Sequence, residues 1–349
     1  MAHLPGTATP PPGAGIGGAS PRQAPHILSG RTYAALDLGT NNCRLLIARP
    51  TPDGFVVVDA FSRIVRLGEG LAATGVLSEA AMDRAVAALA VCADKLRRRH
   101  VTLVRSVATE ACRQAANAAA FVQRVYRETG IALEVISAEQ EARLAVLGCH
   151  ALLEPGEGPA LVFDIGGGST ELILIEEGEG GPHILEWLSA PWGVVSLTET
   201  EPRDLSTRDD LLAAYGRMRA RARDSFADFA GRLGARDGVP RRLLGTSGTV
   251  TTLASLHLQL PSYDRRQIDG LIAPVAAMRD ISARLSAMSV VERATLPCIG
   301  HERADLVVAG CAILEAILDI WPAERLGVAD RGIREGILRT LMARGPARR

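Results

Sequence analysis

Two carboxylates, Asp164 and Glu171, bracket the turn-forming residues Gly166, Gly167, Gly168 and Ser169, with apolar runs at 161–163 and 172–175 on either side. An apolar run, a turn stripped of side chains and a second apolar run predict a β-hairpin. Glycines in such a turn let backbone N–H groups converge on one concavity, the arrangement with which proteins cradle phosphate. Carboxylates beside a phosphate repel it unless a divalent cation stands between them, and Mg²⁺ is the usual choice. The plainer alternative is an exposed glycine-rich hairpin whose aspartate is satisfied by the turn.

The pattern occurs twice. Segment 33–49 reads YAALDLGTNNCRLLIAR. With Asp37 set against Asp164, Gly39 falls on Gly166 and Arg44 on Glu171, and the apolar flanks align as well. Thr40, Asn41 and Asn42 complete this first turn. Asp37 joins the candidate metal carboxylates, although the arginine at its partner position leaves a simple turn role open. Two phosphate-type hairpins predict a duplicated α/β domain with its ligand between the copies. That layout resembles the actin–Hsp70–sugar kinase superfamily, a ribonuclease H-like fold with its active site in the interdomain cleft.

The elements that must position these hairpins follow from the rest of the chain. Its 349 residues, 47% hydrophobic and 22% charged, suffice for two domains with full cores. The division expected is 31–145 and 146–343, with a disordered Pro/Gly/Ala-rich tail at 1–30 and a short tail at 344–349. Position 1–30 lacks the basic start and continuous apolar core of a signal peptide. Formal net charge is zero, so nothing global points to nucleic acid or a membrane, and an anionic substrate must be held locally. Six scattered cysteines without metal-ligand spacing predict small core residues in a reducing, cytoplasmic setting.

Alternating strand and helix signals support mixed or parallel sheets faced by helices. Expected strands include 54–67, 101–107, 133–137, 183–188 and 326–329, with an edge strand at 193–197. Expected helices are 77–99, capped by Ser78, then 111–129, 138–153, 209–233, 275–288, 304–320 and 333–343. Segment 241–252 predicts another strand, glycine-rich turn and helix start, with Ser247, Gly248 and Thr249 at the junction.

Six segments, DLGTNNCRLLIA, ATEACRQAANAAAF, ISAEQEARL, FDIGGGSTELILIE, LLGTSGTVTT and ADRGIREGIL, occur in the order found in the exopolyphosphatase/guanosine pentaphosphate phosphatase (Ppx/GppA) family. The resemblance runs from about residue 31 to about 343. It implies hydrolysis of a terminal phosphoryl group, from inorganic polyphosphate or from the 5′ end of guanosine pentaphosphate (pppGpp), with Mg²⁺ or another divalent cation. It implies that Glu141 is the general base, that Arg113 binds phosphate, and that Asp164 and Glu171 associate with metal. Backbone amides at 39–42, 166–169 and 247–249 would hold successive phosphates. Glu141 has the alternative of a first-turn helix glutamate, and Arg113 that of pairing with Glu110 on its own helix.

Three departures stand out. Asn42 replaces a common serine, Gln140 a common second glutamate, and the sequence stops where longer members continue into a helical HD-type domain. The last suggests a distributive enzyme favouring short polyphosphate; a homodimer is allowed but not demanded. A sugar or acetate kinase, or an actin-like or chaperone-like ATP-binding module, would share the fold. Each needs an adenosine site, and LVVAGCAILEAIL offers little for adenine.

Overall fold

The structure, a computed structural model, describes residues 30–202, 205, 207–234 and 242–343. The tails expected at 1–30 and 344–349 lie, apart from Gly30, outside the described residues.

Two sheets form the frame. The first contains β1 (Tyr33–Leu38), β2 (Asn42–Thr51), β3 (Gly54–Ile64), β4 (Leu103–Ala108) and β5 (Leu133–Val135), in the order β3-β2-β1-β4-β5. The second contains β6 (Ala160–Ile165), β7 (Thr170–Gly178), β8 (Gly181–Ala190), β9 (Arg242–Thr246), β10 (Ile272–Pro274) and β11 (Arg325–Ala329), in the order β10-β11-β9-β6-β7-β8. Each has an antiparallel three-stranded meander followed by two strands parallel to its first member, β4 and β5 in one and β9 and β11 in the other, and β10 pairs antiparallel with β11. Set aside β10, and the two orders are the same.

The repeat extends to single residues. Asp37 pairs with Arg44 across β1–β2, and Asp164 with Glu171 across β6–β7, in the register the aligned sequences predict. Gly39 N–H donates to Asn42 O at 2.9 Å, and Gly166 N–H to Ser169 O at 2.9 Å. A register shift falls at Ile47/Ala48 in one copy and at the aligned Leu174/Ile175 in the other. The chain is a duplicated α/β fold.

Helices cover the outer faces. Glu79–Arg98 and Ala118–Thr129 bury Met82, Val86, Leu89, Phe121 and Val125 against the first sheet. The Ser78 cap is present, its side chain accepting from Ala81 N–H at 3.2 Å. Arg208–Gly234, Gly248–His257, Val275–Ser286 and Val307–Ile320 do the same for the second sheet, around Phe163, Phe226 and Phe229.

Between the sheets cross the helices Ala138–Cys149 and Ile333–Ala343. Leu144 and Ala145 of the former face the first sheet, together with Ile333, Ile337 and Leu338 of the latter. Ala142, Val146 and Cys149 face the second. The closing helix therefore packs on the half of the molecule opposite to the one its chain position suggests. The crossing is close because two glycines permit it: a Cβ at Gly148 would fall on Gly332 O, and one at Gly336 on Leu144 O. Helix Ala138–Cys149 begins with a reciprocal cap. Ser137 Oγ accepts from Gln140 N–H, and Gln140 Oε1 accepts from Ser137 N–H. That is what the glutamine at 140 does here.

Several expected elements differ. The single helix expected over 111–129 is two, Glu110–Gln114 and Ala118–Thr129, because Ala115 takes an extended conformation at the cap of the first. Segment 193–197 is not an edge strand. It enters the short helix Val194–Thr198, whose first amides donate to Gly166 O and Gly167 O, so hydrogen bonding to the turn outweighs the β-branched pair Val194–Val195. Val307 rather than Ala304 opens the apolar helix.

Replacing Gly148 or Gly336 with alanine should cost about 1–3 kcal/mol through overpacking and lower the thermal midpoint. Unchanged melting of both variants would show that the helices do not meet this closely.

Candidate active site

The turns of the two hairpins face one another across a cleft of about 130 Å³ between the sheets. They fit only because the second turn lacks side chains. A Cβ on Gly167 would lie 2.9 Å from Thr40 Cβ and 3.0 Å from Asn41 N, and one on Gly168 would lie 2.7 Å from Thr40 Oγ1. The glycines thus serve close approach of the two turns, a role additional to freeing the backbone. Among the described residues, the N–H groups of Thr40, Asn41, Gly167 and Gly168 donate to nothing. The third junction adds the N-terminus of the Gly248–His257 helix, entered through Ser247 at φ 97°, an uncommon conformation for a serine. Thr249 in its first turn packs on Gly310 of the apolar helix, where any Cβ would strike it.

The cleft is crowded with carboxylates. Asp37 and Asp164 stand at the ends of β1 and β6, Glu171 starts β7, and Glu141 projects from the first turn of helix Ala138–Cys149. Burial pushes all four above the usual carboxylate range, Asp164 to about 6 and Glu171 to about 7. Next in weight, Asp164 raises Glu171 and Glu171 raises Glu141. Arg44 opposes this at Asp37 and Asp164. Glu171 is 1% exposed, and its Oε1 accepts from Ser169 Oγ at 2.7 Å and Ser189 Oγ at 2.9 Å. The hydroxyl of Ser169 is therefore committed to a carboxylate.

Orphaned acceptors cluster in the same place. Asp37 Oδ1, Asn41 Oδ1, Asn42 Oδ1 and Ser247 Oγ are buried without a hydrogen-bond partner among the described residues. Buried oxygens of this kind normally find partners. Oxygen donors plus mutually repelling carboxylates fit a hard divalent cation. Among the described residues no three His, Cys, Asp or Glu side chains converge as a complete ligand set. A cation here would be completed by water and by substrate oxygens.

All the residues nominated from sequence line this cleft except Arg113. Its guanidinium lies behind the wall, with Nη1 donating to Glu141 Oε2 at 2.6 Å and to Ile136 O at 3.1 Å, and Nε donating to Glu110 Oε2 at 2.8 Å. It holds both glutamates at once. Of the residues not nominated, Glu110, Arg44 and Arg303 reach the cleft. Arg303 has no carboxylate partner among the described residues, and its place beside an apolar helix gave no spacing signal. Arg44 was readable as the charge set against Glu171 in the aligned repeat.

The Ppx/GppA phosphatase family model matches residues 46–344. The chain belongs to the Ppx/GppA phosphatase family. Among curated relatives of this Ppx/GppA chain, Exopolyphosphatase 2 of Mycobacterium tuberculosis (strain H37Rv) is 32% identical over 323 residues, 88% of this chain and 98% of that protein. A putative exopolyphosphatase of Haemophilus influenzae is 29% identical, covering 89% and 91%. Among solved structures, the Aquifex aeolicus Ppx/GppA family member matches with TM-score 0.71 and 29% identity over 91% of this chain and 99% of that one. An exopolyphosphatase from Cytophaga hutchinsonii matches with TM-score 0.79 and 26% identity over 90% and 98%. Membership makes the chain a phosphatase, carried on the duplicated α/β fold described above.

If Arg113 positions Glu141, Arg113→Met should leave KM within a few-fold and lower kcat. It should also move the acid limb of the kcat–pH profile upward, because the Arg113 charge lowers the proton affinity of Glu141. A raised KM with an unmoved limb would make Arg113 a phosphate ligand instead.

Proposed function

We propose that this enzyme is an exopolyphosphatase, removing the terminal phosphoryl group of inorganic polyphosphate with Glu141 as the base. The observation that carries the reading is Glu141, 6% exposed and high in proton affinity, lining the same cleft as the unbonded amides of both turns. The names of the relatives support the substrate class.

Phosphoryl transfer calls for positioning, charge neutralisation and an oriented nucleophile. The free N–H groups of Thr40, Asn41, Gly167 and Gly168 bind the terminal phosphates, with Ser247, Gly248 and Thr249 holding those behind. Arg44 and Arg303 supply positive charge. Glu141 takes a proton from water as the water oxygen bonds to the terminal phosphorus. The phosphoanhydride P–O bond breaks, releasing orthophosphate and a chain one unit shorter. Arg113 keeps the carboxylate aimed, and neighbouring carboxylates raise its appetite for a proton. Asp164, Glu171 and Asp37 would hold Mg²⁺, which when bound offsets phosphate charge.

Guanosine pentaphosphate carries the same terminal anhydride and is the alternative substrate. Phosphate release from short polyphosphate, long polyphosphate and pppGpp, compared side by side, decides between them; faster release from pppGpp at equal concentration would reverse the assignment. Glu141→Gln should reduce kcat about 10²–10⁴-fold with KM retained, and activity within a few-fold of wild type would remove Glu141 from the role.

A cleft of about 130 Å³ holds only a few phosphates at once. Affinity for a polyanion grows with the number of phosphates contacted, so the enzyme should act distributively on long chains. On a gel the whole population should shorten gradually. Full-length chains persisting beside free phosphate would reveal a processive track.

A further inference from the structure

Next to the cleft lies a second cavity of about 240 Å³. Helices Val194–Thr198 and Arg208–Gly234, segment 286–293 and the loop bearing Arg66 wall it, and Leu306 stands in the walls of both cavities. Its surface is mainly apolar, from Val195, Leu211, Ala214, Met218, Leu306 and Val308.

Into this wall is set Arg293, only 4% exposed. Its Nε donates to Ser289 O at 3.3 Å, and the remaining N–H groups of its fork meet no acceptor among the described residues. Burial pulls the guanidinium below its ordinary proton affinity. Asp305 acts on it only through its field, being itself gripped by both Nη atoms of Arg66 at 2.8 and 3.1 Å. A buried cation without an anionic partner is costly. The cost is offset when an anion enters.

The surroundings define that anion. Glu69, Glu199, Glu201 and Asp305 also line the cavity. Arg84 holds Glu69, Arg217 and Arg221 hold Glu201, and Gly70 N–H donates to Glu199 at 2.8 Å. Three of these carboxylates are paired with arginines and the fourth accepts from a backbone amide, so among the described residues the Arg293 guanidinium is the cation left for a ligand, and one guanidinium suits a single anionic group. An apolar wall calls for an apolar body. The volume is below the roughly 300 Å³ at which drug-sized pockets begin, so the occupant is small.

We propose that this cavity is a binding pocket for a small monocarboxylate with an apolar body, its carboxylate taken in the Arg293 fork. The site is separate from the catalytic cleft and does not depend on which phosphoanhydride is cleaved. Its walls come from both halves of the molecule, so occupancy ties them together.

Benzoate is a suitable probe, with benzamide as its neutral counterpart of the same shape. Well above its Kd, benzoate should raise the melting midpoint of the wild type by about 2–4 °C, and benzamide should not. Arg293→Met should melt no lower than wild type without ligand and lose the benzoate shift. Ala214→Leu, which fills the cavity and leaves the charge in place, should lose it too and covers the case of an Arg293 variant that does not fold. Absence of a shift in the wild type, an equal shift with benzamide, or a shift retained in Ala214→Leu or in folded Arg293→Met would overturn the proposal.

Discussion

Burial of four carboxylates in one cleft governs this molecule. Asp37, Asp164, Glu171 and Glu141 converge from four different elements on one cleft, and burial makes their charges expensive. Arg44 and the guanidinium of Arg113 relieve part of this, Arg113 at Glu141 and Arg44 at the two aspartates. The remainder suits a site that receives a dication together with its phosphate substrate. It also explains why Glu141 binds a proton more readily than an ordinary glutamate, as the proposed base role at near-neutral pH requires.

Holding such a cluster needs a stiff frame, and close backbone contact provides it. Helix Ala138–Cys149 carries Glu141 and is wedged between the two sheets by the glycine-mediated crossing with Ile333–Ala343. The Ser137–Gln140 cap fixes its first turn, where Glu141 sits. Across the cleft, Gly167 and Gly168 let the hairpin turns touch. Small residues at both places convert sheet geometry into the position of a few oxygen atoms.

Much of this was legible in the sequence because duplication is a strong signal. Aligning Asp37 with Asp164 predicted the ladder partners Arg44 and Glu171 and the matching turns, since strand register follows from a period of two. Less was legible where a residue's role depends on a partner distant in the chain. Arg113 reads as a phosphate ligand by resemblance, yet its fork is taken up by Glu110 and Glu141, and no spacing rule could reveal the latter, twenty-eight residues away. Val194 and Val195 favour a strand locally, but their amides bond the carbonyls of the glycine turn. Arg303 lines the cleft just ahead of helix Val307–Ile320, and nothing local in the sequence marks it for that place.

If the carboxylate cluster holds protons, a divalent cation that enters it must displace them. Calorimetric titration of Mg²⁺ into the protein near pH 6.5, repeated in buffers of different ionisation enthalpy, measures the protons released per ion bound. With Asp164 at about 6 and Glu171 at about 7, net release is expected, diminished in Asp164→Asn and Glu171→Gln. Binding heat independent of the buffer would contradict the account.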